Sequence, residues 1–165
     1  MYTTNWDTWL ERAFECHGRH YQKVASAADL ASIGHGTTAI VKFHGDFDDD
    51  STLVLTESQY FDRLDFESPL DIRLRADLLA YSSIFIGYSL SDVNLRYMLY
   101  KLNRLWERSQ HQQGRPESFI LLTRPNPVQE QILAKRHITP IVTEEDNPGE
   151  GLLAFLQKIL KAANR

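Results

Sequence analysis

Cysteine is almost absent from this chain: of 165 residues, only Cys16 carries a thiol. A single cysteine excludes an intrachain disulfide framework and any cysteine-rich zinc site, and it fits a reducing cytosol. An excess of positive charge is also missing. With 18 Lys plus Arg against 22 Asp plus Glu, a net of −4, the chain lacks the basic surplus of a nucleic-acid or anionic-membrane binder, and only a local patch remains compatible with that balance. No apolar run approaches the roughly 20 residues of a membrane span, and Met1 to Asp7 contains no basic region followed by an apolar stretch. Internal repeats and low-complexity segments are absent too. The expectation is a soluble cytoplasmic protein. What is present, 42% apolar and 24% charged residues, suits one ordinary domain able to bury a core.

Apolar periodicity divides the chain into alternating elements. Trp6, Leu10, Ala13 and Phe14 share one face of a helix expected over residues 7–16, which Gly18 can end. Residues 21–25 read as a short strand, 29–33 as one helical turn, and 39–43 as a strand rich in β-formers. Thr56 with Gln59 three positions later is a capping box opening a short helix through Leu64. Ser68-Pro69 opens another to about Ala80, since Ser suits the N-cap and Pro the first helical position.

Residues 83–86 read as a buried strand ending at Gly87. Leu95, Met98, Leu99, Leu102, Leu105 and Trp106 recur at helical spacing and make 93–108 the longest helix. After a polar connector over 110–117 come a buried strand over 118–122, a helix capped by Asn126-Pro127 and running to about Lys135, and a strand over 138–142 whose Pro140 suits an edge. A last helix over 152–163 places Leu152, Leu156, Ile159, Leu160 and Ala163 on one side. Strands separated by helices, without tight hairpin signals, predict an α/β fold: a three-layer, Rossmann-like parallel sheet with helices on both faces.

Such sheets bind ligands outside the carboxyl ends of their strands. Three loops fit that place: "TTNWD" near the start, "HGD" at 44–46 and "GYSLSD" at 87–92. In the last, Gly87 permits close backbone approach and Ser89 and Ser91 offer hydroxyls ahead of a long helix, a setting that receives a phosphate or a ribose; Asp92 as a helix N-cap explains part of it equally well. His44 at a strand end reads either as a hydrogen-bonded core histidine or as a functional base. Asn5 and Asp7 read as helix caps or as site residues. The Asp48-Asp49-Asp50 run lacks the spaced ligands, mid-loop glycine and terminal glutamate of a calcium loop, so no metal is expected there.

Taken together and in order, the three loops resemble the SIR2 (sirtuin-like) superfamily, in its zinc-free bacterial SIR2-like branch. Thr4-Asn5-Trp6-Asp7 is similar to the family's Thr/Gln-x-Asn-x-Asp element, Lys42-Phe43-His44-Gly45 to its catalytic-histidine strand end, and Phe85 through Asp92 to its Gly-x-Ser element. "LVLTESQYF" from Leu53 and "LRYML" from Leu95 also look like this branch. The resemblance implies NAD+ as substrate or ligand, without zinc. Asn5 and Asp7 would then face the nicotinamide and its ribose beside Thr4 and Gly45. His44 would be the general base on a ribose hydroxyl or an attacking water, a role a neutral imidazole suits. Gly87 and Ser89 would hold the adenosine ribose or the phosphates, with Arg124 near the adenosine.

Deacetylating sirtuins carry a four-cysteine zinc module after the catalytic histidine; residues 45–81 here contain no cysteine, which disfavours protein deacylation. The family's opening Gly-Ala-Gly-x-Ser loop is absent as well. The expectation is one SIR2-like domain over 1–165, N-terminally truncated relative to the family, whose exposed surface seeks a second copy or a complementing chain. Three functions fit the resemblance: an NAD+ hydrolase releasing nicotinamide and ADP-ribose, plausible in anti-phage defence; a non-catalytic NAD+ or ADP-ribose-binding module, or half-site subunit; and a scaffold. The retained polar set favours the first two. His17, His20, His35, His111 and His137 are scattered without ligand spacing, Arg96 is a candidate phosphate contact on the long helix, and Tyr88 reads as packing or base stacking.

Overall fold

Short runs of β-formers separated by helices cannot pair through tight turns, and every strand pairing among the described residues is parallel. The protein is described here from a computed structural model, over residues 1–110, 112–143 and 145–163. Its chain divides into two units, Met1–Arg75 and Ala76–Arg165. Each holds its own three-stranded parallel sheet. The parallel α/β class read from the sequence is thus borne out, with the strands hydrogen-bonded in two sets of three.

In the first unit the strands are β1 (Tyr2–Thr3), β2 (Gln22–Val24) and β3 (Ala39–Lys42), in the order β1-β3-β2. Tyr2 pairs with Val41 and Thr3 with Lys42, while Lys23 pairs with Ile40. Helix α1 (Trp9–Cys16) follows β1, and α2 (Ala27–Ala31) lies next to β2. It begins two residues before the expected turn because Ser26 takes the N-cap, its side chain accepting from the Asp29 N–H while the Asp29 carboxylate accepts from the Ser26 N–H. Helix α3 (Glu57–Asp62) opens on the expected Thr56–Gln59 capping box, and α4 (Pro69–Ala80) on Ser68, whose Oγ accepts from the Asp71 N–H. Val24, Ile40, Val41, Phe43, Phe66 and Leu74 are buried. Strand β1 escaped the sequence analysis because two residues carry no periodicity.

The second unit contains β4 (Ser83–Phe85), α5 (Val93–Arg108), β5 (Ser118–Leu122), α6 (Pro127–Lys135), β6 (Ile138–Val142) and α7 (Pro148–Ala163), with the sheet order β4-β5-β6. Leu95, Met98, Leu99 and Leu102 make the buried stripe of α5, as their spacing predicts. Pro140 lies on an edge strand opposite Ile120, where its missing N–H costs no ladder bond.

Three expectations need correction. Strand β4 is not a buried strand: it is an edge, and Ile84 is 45% exposed. Leu105, placed on the α5 stripe, is exposed. Helix α7 starts four residues earlier than its apolar pattern indicated, and the Leu156, Ile159 and Leu160 side chains of its apolar side are exposed. Among the described residues no helix is long and apolar enough to cross a membrane.

Candidate active site

The first site-forming loop is placed by strand register. The pairing ends at Thr3 with Lys42, and the Phe43 N–H donates to the Thr3 carbonyl at 2.8 Å, so the loop carrying Thr4 and Asn5 starts where β3 ends. Beyond that point side chains take over. The Trp6 indole Nε1 donates to the His44 carbonyl at 3.0 Å, and the Phe47 N–H donates to the Trp6 carbonyl at 3.2 Å. Val54 N–H donates to the same His44 carbonyl at 3.0 Å. The His44 backbone is therefore clamped from both sides, with the residue buried at 4% exposure. Its imidazole Nδ1 lies 3.3 Å from the Tyr60 hydroxyl of α3, the two rings meeting edge to face at 5.2 Å.

Gly45 has a chain-packing reason to be glycine. It holds φ of 95°, and a Cβ there would come 2.3 Å from the Thr52 carbonyl oxygen. This close approach lets the loop after His44 fold back so that Val54 reaches the histidine carbonyl.

Charge is buried directly beneath the site. Lys42, the last residue of β3, is fully buried; its Nζ donates to the Asp7 carbonyl, lies 3.2 Å from Glu11 Oε1 and 3.9 Å from Asp46 Oδ2. Asp46 in turn contacts Lys23 Nζ at 3.0 Å, and Lys23 reaches Asp48 at 2.7 Å. Burial alone would raise the Asp46 carboxyl, but the Asp48 N–H and Lys23 outweigh it and hold the group below its ordinary value. Burial likewise opposes the Lys23 ammonium, and bonds to Asp48 and Asp46 overcome it and raise that group above its ordinary value.

A second ion pair supports the strand end. Arg63 grips the fully buried Asp71 through Nε at 3.1 Å and Nη2 at 2.6 Å, donates from Nη1 to the Phe43 carbonyl at 2.6 Å, and lies 4.2 Å over the Phe43 ring. The Ser68 hydroxyl also donates to Asp71.

Asp7 makes a local turn ahead of α1, its Oδ1 accepting from the Trp9 N–H at 3.1 Å, while Thr8 is the N-cap and makes no side-chain capping bond. Asn5 is exposed, with its backbone N–H donated to Thr3 Oγ1 at 3.1 Å. Thr4, Asn5, Asp7, His44 and Gly45 all lie in the first unit, where the Trp6–His44 and Lys42–Asp7 bonds join their two loops. Gly87, Ser89 and Arg124 belong to the second. Because β4 and β5 are adjacent and parallel, the Gly87 loop and the segment carrying Arg124 leave the same end of that sheet. All three residues are exposed.

The Gly87–Asp92 loop is held by its own short contacts. Gly87 takes φ of 63° with open space where a Cβ would lie, and Leu90 also takes a positive φ of 54°, which is uncommon for such a side chain. Ser89 Oγ donates to Ser91 Oγ at 2.8 Å, and Asp92 is the N-cap of α5, accepting from the Leu95 N–H at 2.8 Å. The capping reading of this loop is thus borne out in Asp92. At the second residue of α5, Asn94 is 1% exposed and neither polar atom of its amide has a hydrogen-bond partner among the described residues. A buried amide in that state fits a water or a polar ligand group arriving there. Tyr88 stacks on Phe85 at 6.2 Å, the packing reading, and Arg96 is exposed.

A small cavity of the second unit lies at the opposite, amino end of β5 and β6, between Leu99, Asn103, Trp106, Arg115 and Arg136. There Arg115 donates to Asn103 Oδ1, and Asn103 Nδ2 donates to the Arg136 carbonyl at 3.0 Å. His111 lies outside the described residues. Among the described residues no group of three or more His, Cys, Asp and Glu is arranged to hold a metal ion.

Sequence reasoning missed Tyr60, Lys42 and Arg63 as site-building residues. Tyr60 lay within the "LVLTESQYF" stretch that carried part of the resemblance, but no local pattern said that its hydroxyl meets His44.

The family model described as "SIR2-like domain" matches residues 1–141. The chain is 30% identical over 112 residues to NAD(+) hydrolase ThsA of Acinetobacter baumannii, an alignment covering 67% of this chain and 23% of that protein. It is 28% identical over 135 residues to Defense-associated sirtuin 2 of Bacillus subtilis, covering 79% and 13%. It is 31% identical over 110 residues to NAD(+) hydrolase ThsA of Bacillus cereus, covering 66% and 23%. The chain thus spans less than a quarter of the length of each of these relatives. A family match over residues 1–141, most of the sequence, establishes that this chain belongs to the SIR2-like domain family.

Proposed function

We propose that the chain is an NAD+ hydrolase domain that cleaves the nicotinamide–ribose bond to nicotinamide and ADP-ribose, within a protein of bacterial anti-phage defence. The observation that carries this reading is His44. It is a buried imidazole just beyond the carboxyl end of β3, clamped through its carbonyl and its Nδ1 and joined through the Trp6 indole to the loop that carries Asn5 and Asp7. The names of the relatives, NAD(+) hydrolase and defense-associated sirtuin, supply the substrate and the setting.

In this reading the bond between the ribose anomeric carbon and the nicotinamide nitrogen breaks, its electron pair staying on nitrogen so that the cationic ring leaves neutral. Positive charge then develops on the ribose. The Asp7 carboxylate and the Asn5 amide oxygen stabilise it electrostatically. A water oxygen forms the new bond to the anomeric carbon, and the His44 imidazole takes the proton that the water loses. Thr4 and Gly45 line the nicotinamide side; within the second unit, Gly87, Ser89 and Arg124 are the residues suited to a ribose or a phosphate.

The buried, unpartnered Asn94 amide at the start of α5 supports a polar ligand at the Gly87–Asp92 loop. Exposed apolar side chains at Ile84, Ile86, Leu153, Leu156 and Leu160 support work alongside a second copy or a complementing chain. The free, exposed Cys16 suits a cytoplasmic setting.

The test is incubation with NAD+ in the presence of an acetyl-lysine peptide, with products separated by chromatography. Nicotinamide and ADP-ribose in equal amounts, with the peptide untouched, is the expected result. Intact NAD+, or nicotinamide release that requires the peptide and removes its acetyl group, overturns the reading.

A further inference from the structure

A neutral histidine has one nitrogen that donates and one that accepts, and the hydrogen bond made by one nitrogen decides the chemistry of the other. In His44 the Nδ1 side is occupied by Tyr60, at 3.3 Å and in edge-to-face ring contact. We propose that Tyr60 is a positioning residue whose phenolic oxygen accepts a hydrogen bond from His44 Nδ1–H, fixing the tautomer in which Nε2 is the basic nitrogen.

Two lines of argument set that direction. A hydroxyl that donates to a ring nitrogen draws close, whereas a separation of 3.3 Å lies nearer the range of an N–H donor bonded to oxygen. The second line is chemical and rests on the hydrolase reading above. With Nδ1 spent on Tyr60, only Nε2 remains to take a proton from water or a ribose hydroxyl, and it can do so only if the imidazole proton sits on Nδ1.

The fold holds Tyr60 in place for this task. It sits in α3, a helix of only six residues whose start is pinned by the Thr56–Gln59 box, with Gln59 Oε1 accepting from the Leu55 and Thr56 N–H groups at 2.8 and 2.9 Å. Just ahead of that box, Val54 donates to the His44 carbonyl at 3.0 Å. One short segment, residues 54–60, therefore grips both the backbone and the ring of the histidine. Trp6 grips the same carbonyl from the other side and prevents the strand end from rotating away. A tyrosine whose only task was packing would not need its hydroxyl on the imidazole.

The experiment is nitrogen NMR on the whole chain labelled with 15N-histidine, at a pH where the rings are neutral. His44 is one of six histidines, and its signals are identified by their loss in His44→Ala. The expected wild-type result is a pyrrole-type Nδ1 and a pyridine-type Nε2. Tyr60→Phe should erase that preference, giving shifts of a mixed tautomer population, and should lower kcat for nicotinamide release by about tenfold with KM little changed. A wild-type His44 protonated on Nε2, or shifts that Tyr60→Phe leaves unmoved, overturns the proposal. The two readings fail separately. A wild type without turnover sinks the hydrolase assignment, while the ring-nitrogen shifts still decide the role of Tyr60.

Discussion

The units Met1–Arg75 and Ala76–Arg165 each hold a three-stranded parallel sheet, yet they treat buried polar groups differently. Among the described residues, the first buries Glu11, Lys42, His44, Asp46 and Asp71, while the second buries the amides Asn94 and Asn103. In the first, charged side chains from β2, β3, α1 and α4 reach across long stretches of sequence to hold two loops at one strand end. In the second, the Gly87–Asp92 loop is fixed by contacts within itself and by the cap of α5. A site whose geometry depends on paired buried charges is rigid but costly to disturb. One built from local turns tolerates change and leaves polar atoms available to a ligand.

The largest expected effect breaks that contrast directly. Asp71→Ala leaves the Arg63 guanidinium without its bidentate partner and should cost about 3–5 kcal/mol in denaturant unfolding. Asn103→Ala in the second unit should cost less, about 1–3 kcal/mol, because hydrogen bonds of a neutral amide, one of them to the Arg115 guanidinium, are at stake rather than a buried ion pair. Equal losses would remove the distinction between the two units.

The glycines sharpen it next. Gly45→Ala combines a positive φ with a Cβ driven into the Thr52 carbonyl and should cost about 3 kcal/mol or more. Gly87→Ala has the positive φ but open space, so about 1–2 kcal/mol is expected. Unfolding midpoints of the two variants, side by side, check this ordering.

Acid stability follows from Asp46. Its carboxyl is held below the unfolded value of about 3.9, so the stabilisation is complete above that pH and is lost as pH falls through the folded-state value. Lys23 works in the opposite sense: its raised value gives stability that is complete below about pH 10.4 and declines as pH rises through the folded-state value. Asp46→Asn should therefore flatten the fall in melting temperature below about pH 4. An unchanged acid profile would exclude Asp46 as a source of that fall.

The smallest effects are the caps. Thr56→Ala and Asn126→Ala should each cost about 1 kcal/mol. Only the first should also slow nicotinamide release, since α3 carries Tyr60. Similar rates for both variants would argue against α3 as the support of His44.

How far the sequence disclosed this arrangement depended on the range of the signals. The bounds of α5, β5, α6 and β6 match the expected ones, because apolar spacing and the Asn126-Pro127 and Asp92 caps act within one or two turns. The Thr56–Gln59 box was readable for the same reason. The position of His44 at a strand end was equally legible. Its surroundings were not, since Tyr60 is 16 positions away and Trp6 38, and the partners of Lys42 and Arg63 are set by tertiary folding. The exposed apolar side of α7 shows the complementary limit: periodicity defines a face but not what covers it.

The central claim is tested most directly by the initial rate of nicotinamide release from NAD+ by the wild-type chain and by His44→Ala, with circular dichroism confirming that both are folded. The account predicts steady turnover by the wild type and a loss of at least about 100-fold in the variant. Equal rates in the two proteins, or a folded wild type that leaves NAD+ intact, would contradict it.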